Sequence, residues 1–298
     1  MHDNPIIIIG AGRSGTSTLI SLLDASPDIY MASEASFFVP KLWQAIYEIP
    51  SESIFRKKGI KELEGFEGIS LPELIERQHE LHDQFDEVLK GERKKSLEFA
   101  REISFRILGC DTRSFKRWGF KEIWNGHPRT NHGWVIYNEI FDKAQWIHCI
   151  RHPFDFVKSI ARWHSLPLTK DFMLNELNNW VAMVNRNREQ AATERYLELR
   201  LNDLATNATH TVNRIFDFVG LPVCDASLET AGKRINASSA NRDWPQLDIN
   251  RLRGIPHLIE LMEDLEFDLT DAVVASPGQG HNFTHRFSIP REGLKRAP

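Results

Sequence analysis

Two hydrophobic patterns take turns along this chain. Short unbroken apolar runs read as strands buried on both faces, and longer stretches with apolar residues three and four apart read as helices. Ile6 to Ile9 is the first run; it ends in glycine, and Leu19, Leu22 and Leu23 follow at helical spacing. Ser26-Pro27-Asp28 breaks that helix, and a short strand near Ile29 to Ala32 leads to Glu34. Leu71, Leu74, Ile75, Leu81, Phe85, Val88 and Leu89 mark an amphipathic helix, after a charged, glycine-containing excursion over 51–70. Phe115 to Trp124 reads as a strand with Lys121 near its end. Ala144 to Ile150 is a second buried run, and it passes straight into Arg151 and a new helix. Phe172, Leu174, Leu177, Trp180, Val181, Val184 and Ala191 line a long helix. Tyr196 to Leu201 is the next strand, and Val212, Ile215, Phe216 and Val219 form a helix stopped by Gly220 and Pro222.

Strands alternating with helices predict an α/β fold of three layers: a central parallel sheet, helices on both faces, right-handed crossovers. Ligands of such sheets sit outside the carboxyl ends of the strands. The glycine loop after Ile9, Glu34, Lys121 and Arg151 each follow or end a predicted strand, so they are expected at one rim. The 298 residues suit a single domain over 1–275 with a helical insertion at about 45–110, followed by a polar tail over 276–298.

Composition narrows the partners. A formal net charge of −4 gives no bulk attraction for nucleic acid, so any anion site must come from locally placed Arg and Lys. Cys110, Cys149 and Cys224 are an odd number without metal spacing, and Cys149 sits inside an apolar run, which predicts core rather than a disulfide framework. No apolar stretch is long enough to span a bilayer. The first strand also begins too early to leave room for a signal peptide. A cytoplasmic setting is expected.

The chemistry gathers at Gly10-Ala11-Gly12-Arg13-Ser14-Gly15-Thr16-Ser17-Thr18. A strand, a glycine loop and a helix start present unpaired backbone N–H groups and the positive end of the helix dipole to an anion. Three anions compete. Gly10, Gly12 and Gly15 satisfy G-x-G-x-x-G, and Glu34 falls near the place of a ribose-binding carboxylate, as in a Rossmann-type NAD- or FAD-dependent oxidoreductase. Gly10 and Gly15 also have P-loop separation, but Thr16 stands where the lysine belongs and no Walker-B aspartate follows a later strand.

The third reading is a resemblance. Arg13-Ser14-Gly15-Thr16-Ser17 resembles the 5′-phosphosulfate loop of sulfotransferases that use 3′-phosphoadenosine 5′-phosphosulfate, with Ser in place of the usual last Thr. Arg151, behind a buried strand, and Ser159, eight positions on, resemble that family's 3′-phosphate motif. Trp118-Gly119-Phe120-Lys121 resembles its Trp-Gly-x-Lys stretch. Glu34 stands twenty-one positions after Arg13, the spacing of the base in the protein-tyrosine sulfotransferase branch. The resemblance covers residues 5–40 and 115–222. In Arg200-Leu201-Asn202-Asp203-Leu204 the family's common Tyr and Glu are missing, and Ser238, Ser239, Asn241 and Arg242 are candidates for a closing segment.

The resemblance implies sulfuryl transfer to an acceptor hydroxyl, with 3′-phosphoadenosine 5′-phosphate as product. It implies a nucleotide held by Gly12, Arg13, Ser14, Gly15, Thr16, Ser17, Arg151 and Ser159, and catalysis by Glu34, Lys121 and Arg13. Sulfuryl carries less charge than phosphoryl, so no metal is required. A histidine is the base in the cytosolic branch, which keeps His127, His152 and His164 open. A glycan or small-molecule acceptor is favoured and a peptide tyrosine stays open. Trp43, Trp124, Trp134, Trp163 and Trp180 are candidates either for stacking on such an acceptor or for the core.

Overall fold

A computed structural model describes residues 4–35, 38–45, 91, 93–110, 114–123, 130–190, 194–234, 247–267 and 273–274. The expected helix over 71–89, the excursion over 51–70, Trp124, His127, the segment from Ser238 to Trp244 and the tail from Ser276 lie outside the described residues.

Five parallel strands form the main sheet: β1 (Ile6–Gly10), β2 (Ile29–Glu34), β3 (Arg117–Ile123), β4 (Gln145–Ile150) and β5 (Tyr196–Arg200). The helices are α1 (Thr16–Asp24), α2 (Phe38–Trp43), α3 (93–107), α4 (Thr130–Ile140), α5 (Pro153–Trp163), α6 (Lys170–Gln190), α7 (Leu201–Thr206), α8 (Ala208–Val219), α9 (Asp225–Arg234), α10 (Ile249–Arg253) and α11 (Leu258–Asp264). A two-stranded pair, β6 (Leu247–Asp248) and β7 (Val273–Val274), lies apart from the main sheet.

The strand order is β2-β3-β1-β4-β5. This order decides between readings of the glycine loop. A dinucleotide fold sets β1 between the second and fourth strands. Here β3 has entered beside β1, and β2, with Glu34, lies one strand further out. The ribose-carboxylate role for Glu34 therefore fails, and the oxidoreductase reading with it.

The isoleucine run shows why the sheet has helices on both faces. Ile6 and Ile8 pack with Leu19, Leu22 and Leu23 of α1 and with Val212, Ile215, Phe216 and Val219 of α8. Ile7 and Ile9 turn the other way, into Trp118, Phe120, Trp134, Tyr137 and Trp146. All four are fully buried, which stabilises the fold by about 1.5–3 kcal/mol for each side chain. A third cluster joins α5, α6 and α11 through Phe154, Val157, Met173, Leu177, Trp180 and Leu261.

One buried polar chain runs through this core. The Asn187 amide donates to His148 Nε2 at 3.1 Å, so Nδ1 carries the ring proton, and it meets the Tyr196 hydroxyl at 2.6 Å. Trp134 Nε1 donates to the Asn187 carbonyl oxygen at 3.4 Å. This chain fastens α6 to β4, β5 and α4. Nearby, Arg188 of α6 holds Glu198 of β5 through two bonds of 2.7 and 2.5 Å, and reaches Asp264 of α11 at 2.8 Å.

Burial, and then the Arg188 charge, push the His148 imidazole down from its ordinary 6.5 to about 3. The folded protein thus keeps this ring neutral where the unfolded chain protonates it. Its contribution to stability is complete above pH 6.5 and is lost as pH falls towards 3, at about 1.4 kcal/mol per pH unit. Denaturant midpoints measured across that window should fall with this slope, and His148→Gln should flatten it.

Candidate active site

A cleft of about 1350 Å³ opens at the carboxyl ends of the strands. Gly12, Arg13, Gly15, Thr16, Ser17, Glu34, Lys121, Arg151 and Ser159 all line it, so the four segments expected at one rim do share it.

The loop is shaped by close approaches. A side chain at Gly10 would put its Cβ 2.6 Å from the Cys149 carbonyl oxygen of the neighbouring strand and 2.5 Å from Ser14 Oγ. Gly15 caps α1 in the left-handed region, φ 97°, and no side chain caps that helix start. The cap carbonyl accepts from Thr18 and Leu19 N–H at 2.9 and 3.2 Å. The Thr16 and Ser17 amides and the Ser17 hydroxyl are left at the cleft, where an anion suits them.

Ser14 departs from expectation. Its side chain is 1% exposed, does not line the cleft, and has no hydrogen-bond partner for its hydroxyl among the described residues. The loop turns it back towards Gly10, where it and the Cys149 carbonyl leave no room for a Cβ. Ser14 shapes the loop from beneath and does not reach the cleft.

Two turns meet above the loop. Arg151 Nη1, at the end of β4, donates to the Arg13 carbonyl at 3.1 Å. Arg13, itself left-handed at φ 72°, sends Nε to Ser159 Oγ of α5 at 3.3 Å and lies 4.8 Å over the Trp163 ring. Burial lowers the pKa of the Arg151 guanidinium. Asp155 opposes that shift, while the Arg13 and Arg162 cations add to it. Cations crowded together and partly desolvated are most easily relieved by an anion between them.

The other flank is formed by β2 and β3. Lys121 Nζ lies 3.5 Å from Glu34 Oε2 and donates to Ser17 Oγ at 3.2 Å. Strand alternation sends the next residue the opposite way: Glu122 is fully buried and accepts from the Tyr137 hydroxyl. Glu122 is thus turned away from Lys121. Glu34 ends β2 rather than following it, and it reaches the cleft through a bulge. Ile29 pairs with Arg117 and Met31 with Gly119, but Lys121 is met by Glu34 rather than Ser33. The extra residue moves Glu34 onto the cleft face of the sheet.

Of the candidate histidines, His164 lines the cleft at the carboxyl end of α5. His152 does not; its ring packs against Phe154 and Phe267. Among the tryptophans, Trp43, Trp134 and Trp180 are core, and Trp163 stands in the cleft at 67% exposure. Arg200 takes neither half of the cleft: it pairs with Asp203 at 3.0 Å and Glu266 at 2.6 Å. Sequence reasoning missed Arg162, Phe172, Glu176 and Asn179, which also line the cleft. Arg162 lies three positions after Ser159, a helical spacing that would have placed it on the same face. Glu176 and Asn179 carry no such signal, because α6 had to be seen packed beside α5 first.

The profile of a sulfotransferase family matches residues 5–225. Among solved structures, the backbone is similar to a sulfotransferase domain from the curacin biosynthetic pathway, at 12% identity and TM-score 0.50, covering 89% of this chain and 99% of that one. It is also similar to the sulfotransferase domain of the Synechococcus PCC 7002 olefin synthase, at 19% identity, TM-score 0.48, and 89% and 96% coverage. Sulfotransferase STF9 from Mycobacterium avium follows, at 15% identity, TM-score 0.49, and 90% and 78% coverage. At 12% identity the first is a likeness of fold. No curated protein matches the chain in sequence.

Gly10→Ala tests the loop geometry. The new methyl meets a backbone oxygen that cannot rotate away, so the variant should lose about 1–3 kcal/mol in chemical denaturation, with the glycine loop as the part displaced.

Proposed function

The chain belongs to the sulfotransferase family, and from that premise we propose that it moves a sulfuryl group from 3′-phosphoadenosine 5′-phosphosulfate to the hydroxyl of a small-molecule or glycan acceptor. The observation that carries this reading is the Arg151–Arg13–Ser159 connection, which brings two separate polar turns to one rim. A nucleotide phosphorylated at both ends has an anion for each turn. No helix among the described residues is long and apolar enough to cross a membrane. We take the setting to be cytoplasmic, a reading supported by the free thiols of Cys110, Cys149 and Cys224.

In this reading Gly12, Arg13, Gly15, Thr16, Ser17 and the first-turn amides of α1 hold the 5′-phosphosulfate. Ser14 contributes only by fixing the loop. Arg151 and Ser159 hold the 3′-phosphate, and Arg13 leaves Ser159 as that phosphate arrives. The acceptor oxygen forms its bond to sulfur while the bond from sulfur to the bridging oxygen breaks, and the hydroxyl proton passes to Glu34. Lys121 sits between Glu34 and Ser17, the place where charge builds on the transferred group and on the leaving phosphate. The protein's contribution is orientation and electrostatic stabilisation, as in phosphoryl transfer. His164 also lines the cleft, but Glu34 is favoured by its contact with Lys121.

Two variants separate the roles. Glu34→Ala should lower turnover by about 10²–10⁴-fold while leaving the affinity for 3′-phosphoadenosine 5′-phosphate in place; undiminished turnover would remove Glu34 from the mechanism. Arg151→Ala should weaken that bisphosphate in calorimetry by about 10–100-fold, the scale of a charged hydrogen bond, and barely change 5′-AMP. Equal losses for the two nucleotides would show that Arg151 does not read the 3′-phosphate.

A further inference from the structure

The floor of the cleft and its wall differ in chemistry. Arg13, Lys121, Arg151 and Glu34 at the strand ends make the floor. The wall, built by α5, the turn after it and α6, presents Ile160, Trp163, Leu166 and Phe172 to the cleft, with Arg162, Glu176 and Asn179 beside them. Trp163 is 67% exposed and Leu166 46%. Large apolar side chains held open together inside a cleft are costly in water unless something covers them.

The wall is a built feature. Leu166 N–H donates to the Ala161 carbonyl at 2.9 Å, and Ser165 N–H to the Arg162 carbonyl at 3.3 Å. To allow this, Ser165 takes a left-handed φ of 53°, uncommon for a residue other than glycine. Phe172 is placed in turn by its N–H bond to Thr169 Oγ1 at 3.2 Å. This left-handed helix stop, made without a glycine, leaves Leu166 in the cleft lining together with Trp163.

Resting on the sulfotransferase reading above, we propose that this wall holds the acceptor, and that the acceptor is an alcohol or phenol with an extended apolar body. The donor's phosphosulfate and 3′-phosphate find their partners on the floor, which leaves this apolar surface to the acceptor. A cleft of about 1350 Å³ also exceeds the roughly 300–1,000 Å³ of a pocket for a single small ligand. Length follows from the sheet order. Glu34 and Lys121 end β2 and β3, whereas the wall follows β4 on the far side of β1. With strands about 4.8 Å apart, β2 and β4 are three spacings apart, so a molecule whose hydroxyl meets Glu34 must reach across about 14 Å to cover the wall. A long-chain or fused-ring alcohol does this, and a single compact sugar does not.

The experiment measures sulfuryl transfer from 3′-phosphoadenosine 5′-phosphosulfate to 1-alkanols from butanol to decanol, to 2-naphthol and to N-acetylglucosamine. kcat/KM should rise about two- to four-fold per methylene, the range for partial to full burial of each CH₂. Leu166→Ser, which leaves the Arg13–Trp163 contact in place, should raise KM for 1-decanol about tenfold without changing the affinity for 3′-phosphoadenosine 5′-phosphate. Trp163→Ala should raise it further. A flat chain-length series, turnover of the sugar alone, or bisphosphate binding without turnover of any alkanol or phenol would overturn the proposal. Loss of bisphosphate affinity in Leu166→Ser would overturn it too, by giving the wall to adenine. Failure of the unaltered protein to bind the bisphosphate is a different result, which removes the sulfotransferase reading together with this one.

Discussion

The hydrogen bond from Arg151 to the Arg13 carbonyl joins a turn after β1 to a turn after β4, and the cleft exists because those two turns are joined. Arg13 can offer its carbonyl there only because its backbone is left-handed. Its side chain is thereby sent across to Ser159 and Trp163. The arrangement gathers Arg13, Arg151 and Arg162 around one space, and their mutual repulsion opposes the geometry. What opposes the repulsion is the sheet. β1 is buried on both faces and paired on both edges, so the glycine loop cannot drift from β4 without breaking the core. Apolar packing at one end of the strands thus holds like charges together at the other.

How much of this was legible in the sequence follows from what kind of information each feature needs. β1, β4 and the helix after each could be read because a buried strand and an amphipathic helix announce themselves locally, in runs such as Ile6 to Ile9. Arg151 and Ser159 could be found because their spacing is also local. Strand order is not local. Nothing in residues 29–34 or 117–123 says that β3 inserts between β2 and β1, and that insertion is what separates Glu34 from a ribose-binding role and gives it Lys121 as neighbour. The bulge in β2 was equally invisible. Counting residues alone puts Ser33 opposite Lys121, and only the register shows Glu34 there instead. Ser14 was misplaced for a related reason: a motif lists residue types, whereas the turn around Gly10 decides which of them face inward.

The buried polar chain through His148 belongs to the same account. A histidine within the apolar run of β4 gives no sign in sequence of what it does. In the fold it meets Asn187, and through it Trp134, so that the carboxyl-terminal turn of α6 is tied to β4 and α4 rather than simply pressed against them. Arg188, one residue on, binds Glu198 and Asp264 and secures the end of the same helix. Because a half-satisfied buried network costs more than an apolar core, these bonds allow few alternative placements of α6. That matters at the rim, where α6 supplies Phe172, Glu176 and Asn179 to the cleft.

The helix α5 carries the argument one step further. Ser159, Arg162 and Trp163 are spaced three and four apart, so they share one face, and that face looks into the cleft. Ser159 belongs to the nucleotide-binding half of the proposed site and Trp163 to the acceptor wall, only one turn apart. Arg13 touches both. In the proposed reading, a nucleotide phosphate that displaces Arg13 from Ser159 also draws it away from the Trp163 ring. More of the ring face is then open once the donor is in place. In that reading the two reactants would be coupled through one arginine. Such coupling favours binding the donor first, because only then is the whole apolar wall available to the second molecule.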